Sequence, residues 1–328
     1  MKKTIQTLCL ALCAVVFISI SACKTSTVNN PKNLKLITIG TGGINGVYYP
    51  VGKSIAEIID KNKGKIKYNA VAKTSYNASK YNIVDILNGD LDFGISQVDD
   101  LYNTFRTESK GKKLRAIFCL HVEALTLLAL DSSGIKNYKD IKGHKLRTGP
   151  TDNISQNIKA VLDEYNINKK DFTQIKAKSL LCPNLLQNKK IDAYFFTVGH
   201  PNQNTKDAIS GKNKVNMISL DSKIIDKLLT KYPFYSKVSI PLSYYMPSKG
   251  EVETVGTKAV FFTSADTDVE TVYEITKEVF SHLQELTSSA PALMGLNEQD
   301  MVTGYLLPLH KGAEKFYKEK GITYVSGE

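Results

Sequence analysis

The stretch 36-LITIGTGGINGVYYPVGKSIAEII-59 decides how the rest of the chain is read. Its β-branched opening, Leu36 to Ile39, breaks into four glycines within seven residues, Gly40, Gly42, Gly43 and Gly46. Apolar residues then resume at helical spacing, Val51, Ile55, Ile58 and Ile59, so the segment reads as strand, glycine turn, helix. Such glycines permit positive φ and a close backbone approach to a ligand. The first turn of the following helix leaves amide N–H groups unpaired at the positive end of its dipole, which makes a seat for an anion.

Two phosphate-binding motifs miss this stretch by one position each. G-x-G-x-x-G from Gly40 needs glycine where Asn45 stands, and G-x-x-x-x-G-K-[ST] ending at Gly52-Lys53-Ser54 needs glycine where Val47 stands. What remains is either a plain packing turn or a backbone seat for a carboxylate or other small anion. Tyr48 and Tyr49 favour the seat, because two adjacent aromatics at a helix start cannot both face the core.

The chain opens with Lys2 and Lys3 before an apolar run of about a dozen residues, Leu8 to Ile20, which is long enough for a signal-peptide core and too short to span a bilayer. Ile20-Ser21-Ala22-Cys23 resembles the bacterial lipoprotein cleavage box. That resemblance implies removal of residues 1–22, acylation of Cys23, and a polar tether over residues 23–33. The body is then exported and faces the periplasm or the cell surface, held to a membrane by acyl chains.

Five cysteines reduce to two in the body, Cys119 and Cys182, once Cys9 and Cys13 leave with the signal and Cys23 takes lipid. They lack C-x-x-C spacing and a histidine pair, so no metal site follows; unpaired, partly buried thiols are favoured over one disulfide. The formal charge of +11 falls to +9 without Lys2 and Lys3. The lysines are scattered and not interleaved with aromatics, which argues against nucleic acid and for no more than a mild attraction to anionic solutes or surfaces.

Strand and helix alternate along the body. Strands are expected at 67–72, 91–96, 115–120, 125–130, 145–148, 191–197 and 259–264, and helices at 78–87, 154–165, after Asn202 through Ile209 and at 269–286, with a short helix starting at 138–141. Thr151 to Asn153 and Gly199 to Asn202 occupy further strand-to-helix turns, and Gln97 stands at the carboxyl end of a strand, where open α/β sheets hold ligands. Three such turns over two halves describe an α/β chain of two lobes facing a cleft. With crossovers near residues 121–126 and 235–245, one lobe takes residues 34–122 plus 245–328 and the other 123–244. A calcium loop at Asn88 to Asp92 is excluded because Phe93 stands where glycine is required.

GTGGINGVYYPVG, NGDLDFGISQVD, SGIKNYKDIKGHKL, IDAYFFTVGHPN, KYPFY, TVGTKAV and LPLHKGAEKFYKEKG occur in order from Lys35 to Gly321. Together they resemble the TAXI group of solute receptors of TRAP transporters. The resemblance implies a two-lobed periplasmic-binding-protein fold (type II, Venus flytrap) with a hinge and interlobe cleft. It also implies capture of a small organic anion or amino acid, such as glutamate, glutamine or 2-oxoglutarate, for delivery to the membrane subunits of a TRAP permease.

Transferred onto this sequence, the family's ligand-binding positions fall on Gly42, Gly43, Tyr48, Tyr49, Ser79, Asn82, Gln97, Gly199 and His200, with Thr151 and Asn153 in the second turn. Gln97 and Tyr48 would hydrogen-bond the polar head of the ligand, and the amides of Gly42 and Gly43 would receive a carboxylate. Two departures stand out: Ile44 replaces a hydroxyl residue, and Asp152-Asn153-Ile154 replaces a glycine-serine-glycine turn. Asp152 either caps the helix or enters the cleft, where it would favour a ligand bearing an amino group.

An enzyme is not expected, since G-x-S-x-G and H-E-x-x-H are absent and the five histidines do not cluster with acids at ligand spacing; no cofactor follows either. The competing class is a surface-exposed adhesive or immunogenic lipoprotein with a vestigial cleft.

Overall fold

The computed structural model describes residues 34–61, 67–75, 77–325 and 327. The expected signal, Cys23 and the tether lie outside these. No helix among the described residues is long and apolar enough to cross a membrane.

The opening stretch folds as its pattern demands. Strand β1 (Leu34–Gly40) enters the turn and helix α1 (Tyr48–Asp60) leaves it. Val51, Ile55, Ile58 and Ile59 are all at most 1% exposed, so each contributes on the order of 1.5–3 kcal/mol of burial. The unit then repeats: β2 (Lys67–Lys73), α2 (Ala78–Asn88), β3 (Phe93–Gln97) and α3 (Val98–Thr107).

A long strand, β4 (Leu114–Leu130), leads into the second half. There β5 (Lys145–Gly149), α4 (Gln156–Glu164), β6 (Thr173–Lys176), α5 (Cys182–Gln187), β7 (Ala193–Gly199) and α6 (Gln203–Ile209) repeat the alternation. They are followed by β8 (Val215–Ile218), α7 (Ser222–Lys231) and β9 (Ser236–Pro241). Strand β10 (Glu251–Ser264) returns to the first half, which α8 (Val269–Ser281), α9 (Leu283–Ser288), α10 (Glu298–Met301) and α11 (Lys311–Lys320) complete.

The ten strands form one sheet ordered β2-β1-β3-β10-β4-β7-β5-β6, with β8 added on β4 and β9 on β10. In each half the second strand lies outside the first and the third lies inside it, and β10 and β4 stand side by side where the halves meet. One core gathers residues from Ile37 to Leu120 and from Ala259 to Tyr317, together with Val198, and Phe93, Phe118 and Phe261 stack in it at 5.4 and 4.9 Å. Two further clusters, drawn from residues between Ala124 and Val255, lie under the second half.

Three expectations change. The separate strands at 115–120 and 125–130 are one 17-residue strand. Its residues Leu114 to Ala124 pair with β10 and Glu123 to Ala129 pair with β7, so partners on both sides keep the connecting residues extended. The second crossing is β10, which pairs with β9 through Glu251–Gly256 and with β3 through Ala259–Thr263. The long helix expected at 269–286 breaks at His282, whose φ of −117° and ψ of 30° leave the helical region.

Cys119 and Cys182 are free and buried. Burial pushes their thiols up to about 12 and about 11, which leaves both protonated and inert.

Candidate functional site

A cavity of about 550 Å³ lies between the halves, at the carboxyl ends of β1, β3, β5 and β7. That is the crevice where open α/β sheets hold ligands, and its volume suits a small organic molecule.

From the first half, the turn after β1 contributes Gly42 and Gly43 to the lining. Their amide nitrogens donate to no acceptor among the described residues, which fits an anion seat. The expected positive φ is not used, because none of Gly40, Gly42, Gly43 and Gly46 is left-handed. Instead Gly40 is required by packing: a Cβ there would sit 2.5 Å from Asn82 Oδ1 and from Leu91 Cδ1. Asn82 is itself structural, donating to the carbonyls of Thr41 and Ile95 at 3.0 and 2.8 Å.

Tyr48 and Ser79 line the cavity but serve the wall more than the space. The Tyr48 hydroxyl donates to Glu123 at 3.1 Å, and burial followed by the Glu123 charge holds it well above its usual range, so it stays a donor. Ser79 Oγ lies 3.5 Å from that hydroxyl and accepts from the Gln97 amide at 3.1 Å. Glu123 Oε1 also lies 3.4 Å from His121 Nε2. Glu123 stands opposite Thr257 of β10 and Gly199 of β7, at the point where the halves join.

Gln97 ends β3 and its side chain reaches across the cavity. Asn157 of α4 donates to its Oε1 at 3.1 Å and to Thr197 Oγ1 at 2.9 Å, tying the two halves over the cavity. Beyond Gln97, Asp99 and Asp100 occupy the first turn of α3 and line the same space. Burial, then the neighbouring Asp100 charge, raises the Asp99 carboxyl well above the usual range. Burial raises Asp100 to about 6 against the pull of Lys80, with Glu123 adding to the rise.

From the second half comes Arg147 on β5, only 7% exposed. Its Nε donates to the Ala177 carbonyl and its Nη1 to that of Phe195, both at 3.0 Å. No ion pair among the described residues involves Arg147, Asp99 or Asp100. Burial lowers the guanidinium from its ordinary value, but arginine stays charged in proteins. A buried cation without a counter-ion is costly unless a ligand supplies the anion.

Of the residues expected at the site, Gly42, Gly43, Tyr48, Ser79 and Gln97 meet at the cavity, and Tyr49, Thr151, Asn153, Gly199 and His200 do not line it. Tyr49 is half-buried on the flank of α1. Thr151 and Asn153 are exposed because α4 starts at Gln156, later than expected, so that helix places Asn157 in the cleft instead of the turn. Asp152 neither caps α4 nor enters the cavity; it is exposed and pairs with Lys176 at 3.2 Å. Gly199 packs against the His121 ring. His200 faces a second cavity of about 330 Å³ behind the junction, its Nδ1 2.6 Å from the Tyr245 hydroxyl. Burial pulls it down to about 3, which keeps it neutral.

Sequence reasoning missed Arg147, Glu123, Asp99, Asp100 and Asn157. Two of them had a signal. Only three of the 43 cationic residues are arginines, and Arg147 alone precedes a Gly-Pro turn. Glu123 is the one acid in the apolar strand 114–130.

Two α/β halves of second-first-third strand order, joined by two long strands across a ligand-sized cleft, define the two-lobed type II periplasmic-binding-protein fold. Residues 39–321 match the model of the NMT1-like family, and the chain belongs to that family. Among solved structures, one from Bordetella bronchiseptica RB50 is similar to this chain over 89% of it and 84% of the other, with 16% identity and a TM-score of 0.51. A structure from a study of glutathione import through the cystine importer of Streptococcus mutans covers 82% of this chain and 100% of its own, at 14% identity and a TM-score of 0.49. The periplasmic aliphatic sulphonate binding protein SsuA from Escherichia coli covers 89% and 95%, at 15% identity and a TM-score of 0.46.

Proposed function

We propose that this protein is an extracytoplasmic receptor that captures a small carboxylate or amino acid in the cleft between its lobes and hands it to a membrane permease, changing no covalent bond itself. The observation that carries this reading is Arg147: a buried guanidinium facing a 550 Å³ cavity, bonded to carbonyls and paired with no carboxylate among the described residues. A ligand carboxylate supplies the missing anion, and the amides of Gly42 and Gly43 face the same space. The fold and the NMT1-like membership support a binding role.

The finer parts of the reading follow the resemblance to TAXI receptors: a TRAP-type permease as the recipient, and a lipid on Cys23 as the anchor. The lobes divide after Val122 in β4 and near Gly256 in β10, because Glu123 pairs with Thr257 and Ala124 with Gly256 where the two cores part. The contact between Gln97 and Asn157 belongs to the closed arrangement of the lobes.

Mass spectrometry of solute released from the natively purified protein tests the receptor reading, supported by thermal shift against amino acids and organic acids. A ligand at about a hundredfold its dissociation constant adds roughly 2.7 kcal/mol of stability. Absence of both a carried solute and any thermal shift would leave only the adhesive reading.

A further inference from the structure

The cleft carries charge of both signs: Lys80 and Lys178 line it along with Arg147, and Asp99, Asp100 and Glu123 line it as well. Arg147 supplies the buried positive pole from β5. The other pole is a wall of carboxylates, Asp99 and Asp100 on α3 and Glu123 on β4. Asp99 is 2% exposed, and its Oδ1 has no hydrogen-bond partner among the described residues. Glu123 accepts a hydrogen bond from Tyr48, whereas Asp99 and Asp100 have no ion pair among the described residues. Lys80, the cation that bears on Asp100, is exposed at the rim.

A desolvated carboxylate with an unsatisfied oxygen, pressed by two neighbours of like charge, is held in an unfavourable state that a cation would relieve. The cavity is where that cation can stand. We infer that the solute carries a cationic nitrogen as well as a carboxylate, the nitrogen seated on Asp99 with Asp100 and Glu123 beside it and the carboxylate on Arg147. The inference rests on the reading of the cleft as a solute site. It narrows that reading from small anions in general to monocarboxylates bearing an ammonium or guanidinium. Because the wall has more carboxylates than one α-ammonium can answer, diamino and guanidino acids outrank plain zwitterions. A dicarboxylate without a cation adds negative charge beside the wall and is disfavoured.

The test is titration calorimetry of the full-length protein, stripped of carried solute, with L-lysine, L-glutamine and 2-oxoglutarate. Lysine should bind most tightly, and 2-oxoglutarate at least about tenfold more weakly than glutamine, the least that one charge-assisted hydrogen bond provides. Asp99→Asn should weaken lysine about tenfold or more while leaving the ligand-free melting temperature nearly unchanged, since the amide keeps the side chain's shape and replaces a buried carboxyl whose Oδ1 has no hydrogen-bond partner among the described residues. Asp100→Asn gives the same trend, smaller, and serves should Asp99→Asn not fold. Equal affinity for 2-oxoglutarate and lysine, or lysine binding untouched in Asp99→Asn, overturns the inference. If 2-oxoglutarate binds as tightly as lysine or more tightly and Arg147→Gln abolishes it, the inference falls while the receptor reading stands; if nothing binds and no solute copurifies, both fall.

Discussion

The two halves each present a strand-to-helix turn at the cleft, yet they use it differently. After β1 the turn itself lines the cavity, with Gly42 and Gly43 at the surface of the space and helix α1 opening on buried Tyr48. After β5 the chain passes Gly149 and Pro150 along the cavity, then turns out into solvent at Thr151 to Asn153 before α4 begins at Gln156. The first half therefore offers backbone amides, and the second offers side chains, Arg147 from the strand and Asn157 from the helix. A turn approaches a ligand closely only when its helix packs tight against the strand. Gly52 of α1, where a Cβ would sit 2.4 Å from Thr41 Cγ2, is the contact that enforces this in the first half.

The comparison breaks most readily at Arg147. Arg147→Gln should reduce ligand affinity by about thirtyfold or more in calorimetry, because truncating a buried charged partner costs about 2–5 kcal/mol. The fold should survive, since no carboxylate is left unpaired by the change. A loss of that size for the second-half side chain, beside a small one for Gly43→Ala, would show which half holds the anion more strongly.

Next in size is the packing of the first turn. Gly40→Ala should destabilise the protein by about 1–3 kcal/mol in chemical denaturation, since the new methyl overlaps buried Asn82 and Leu91. Gly43→Ala, whose Cβ would meet nothing within 4 Å, should leave stability unchanged. Equal effects at the two positions would refute the packing account of this turn.

A smaller effect attaches to pH. Burial raises Asp100 from 3.8 to about 6, so the folded protein holds this proton more tightly than the unfolded chain does. Its contribution is therefore greatest below pH 3.8, declines as pH rises toward about 6, and is flat beyond. In ligand-free protein, Asp100→Asn should remove a slope worth about 1–2 kcal/mol, allowing for its partial exposure. Identical pH–stability profiles for the two proteins would contradict the desolvated state of this wall.

Least of all should follow from the second turn. Asp152→Asn and Thr151→Ala should alter affinity and stability by less than about 0.5 kcal/mol, as exposed substitutions away from caps and cavities do. A tenfold change in ligand affinity in either variant would put the turn back into the site.

Much of the architecture could be read from local pattern. Hydrophobic spacing in 36–59, 78–87 and 145–148 corresponds to β1, α1, α2 and β5, because burial acts on nearest neighbours along one element. Where pattern misled, a distant partner was responsible. The strand through 121–124 stays extended because β7 and β10 flank it, and both are far away in sequence.

Taken alone, the amino-acid order determined the alternation of strand and helix, the glycine turn as a lining element, and Gln97 at a strand end facing the cleft; each depends on residues close together in the chain. Only the tertiary structure decided that Arg147 lacks a counter-ion, that Tyr48 is bound to Glu123, and that His200 belongs to another cavity. Charge pairing and desolvation depend on what the fold brings within a few ångströms, and no local pattern carries that information.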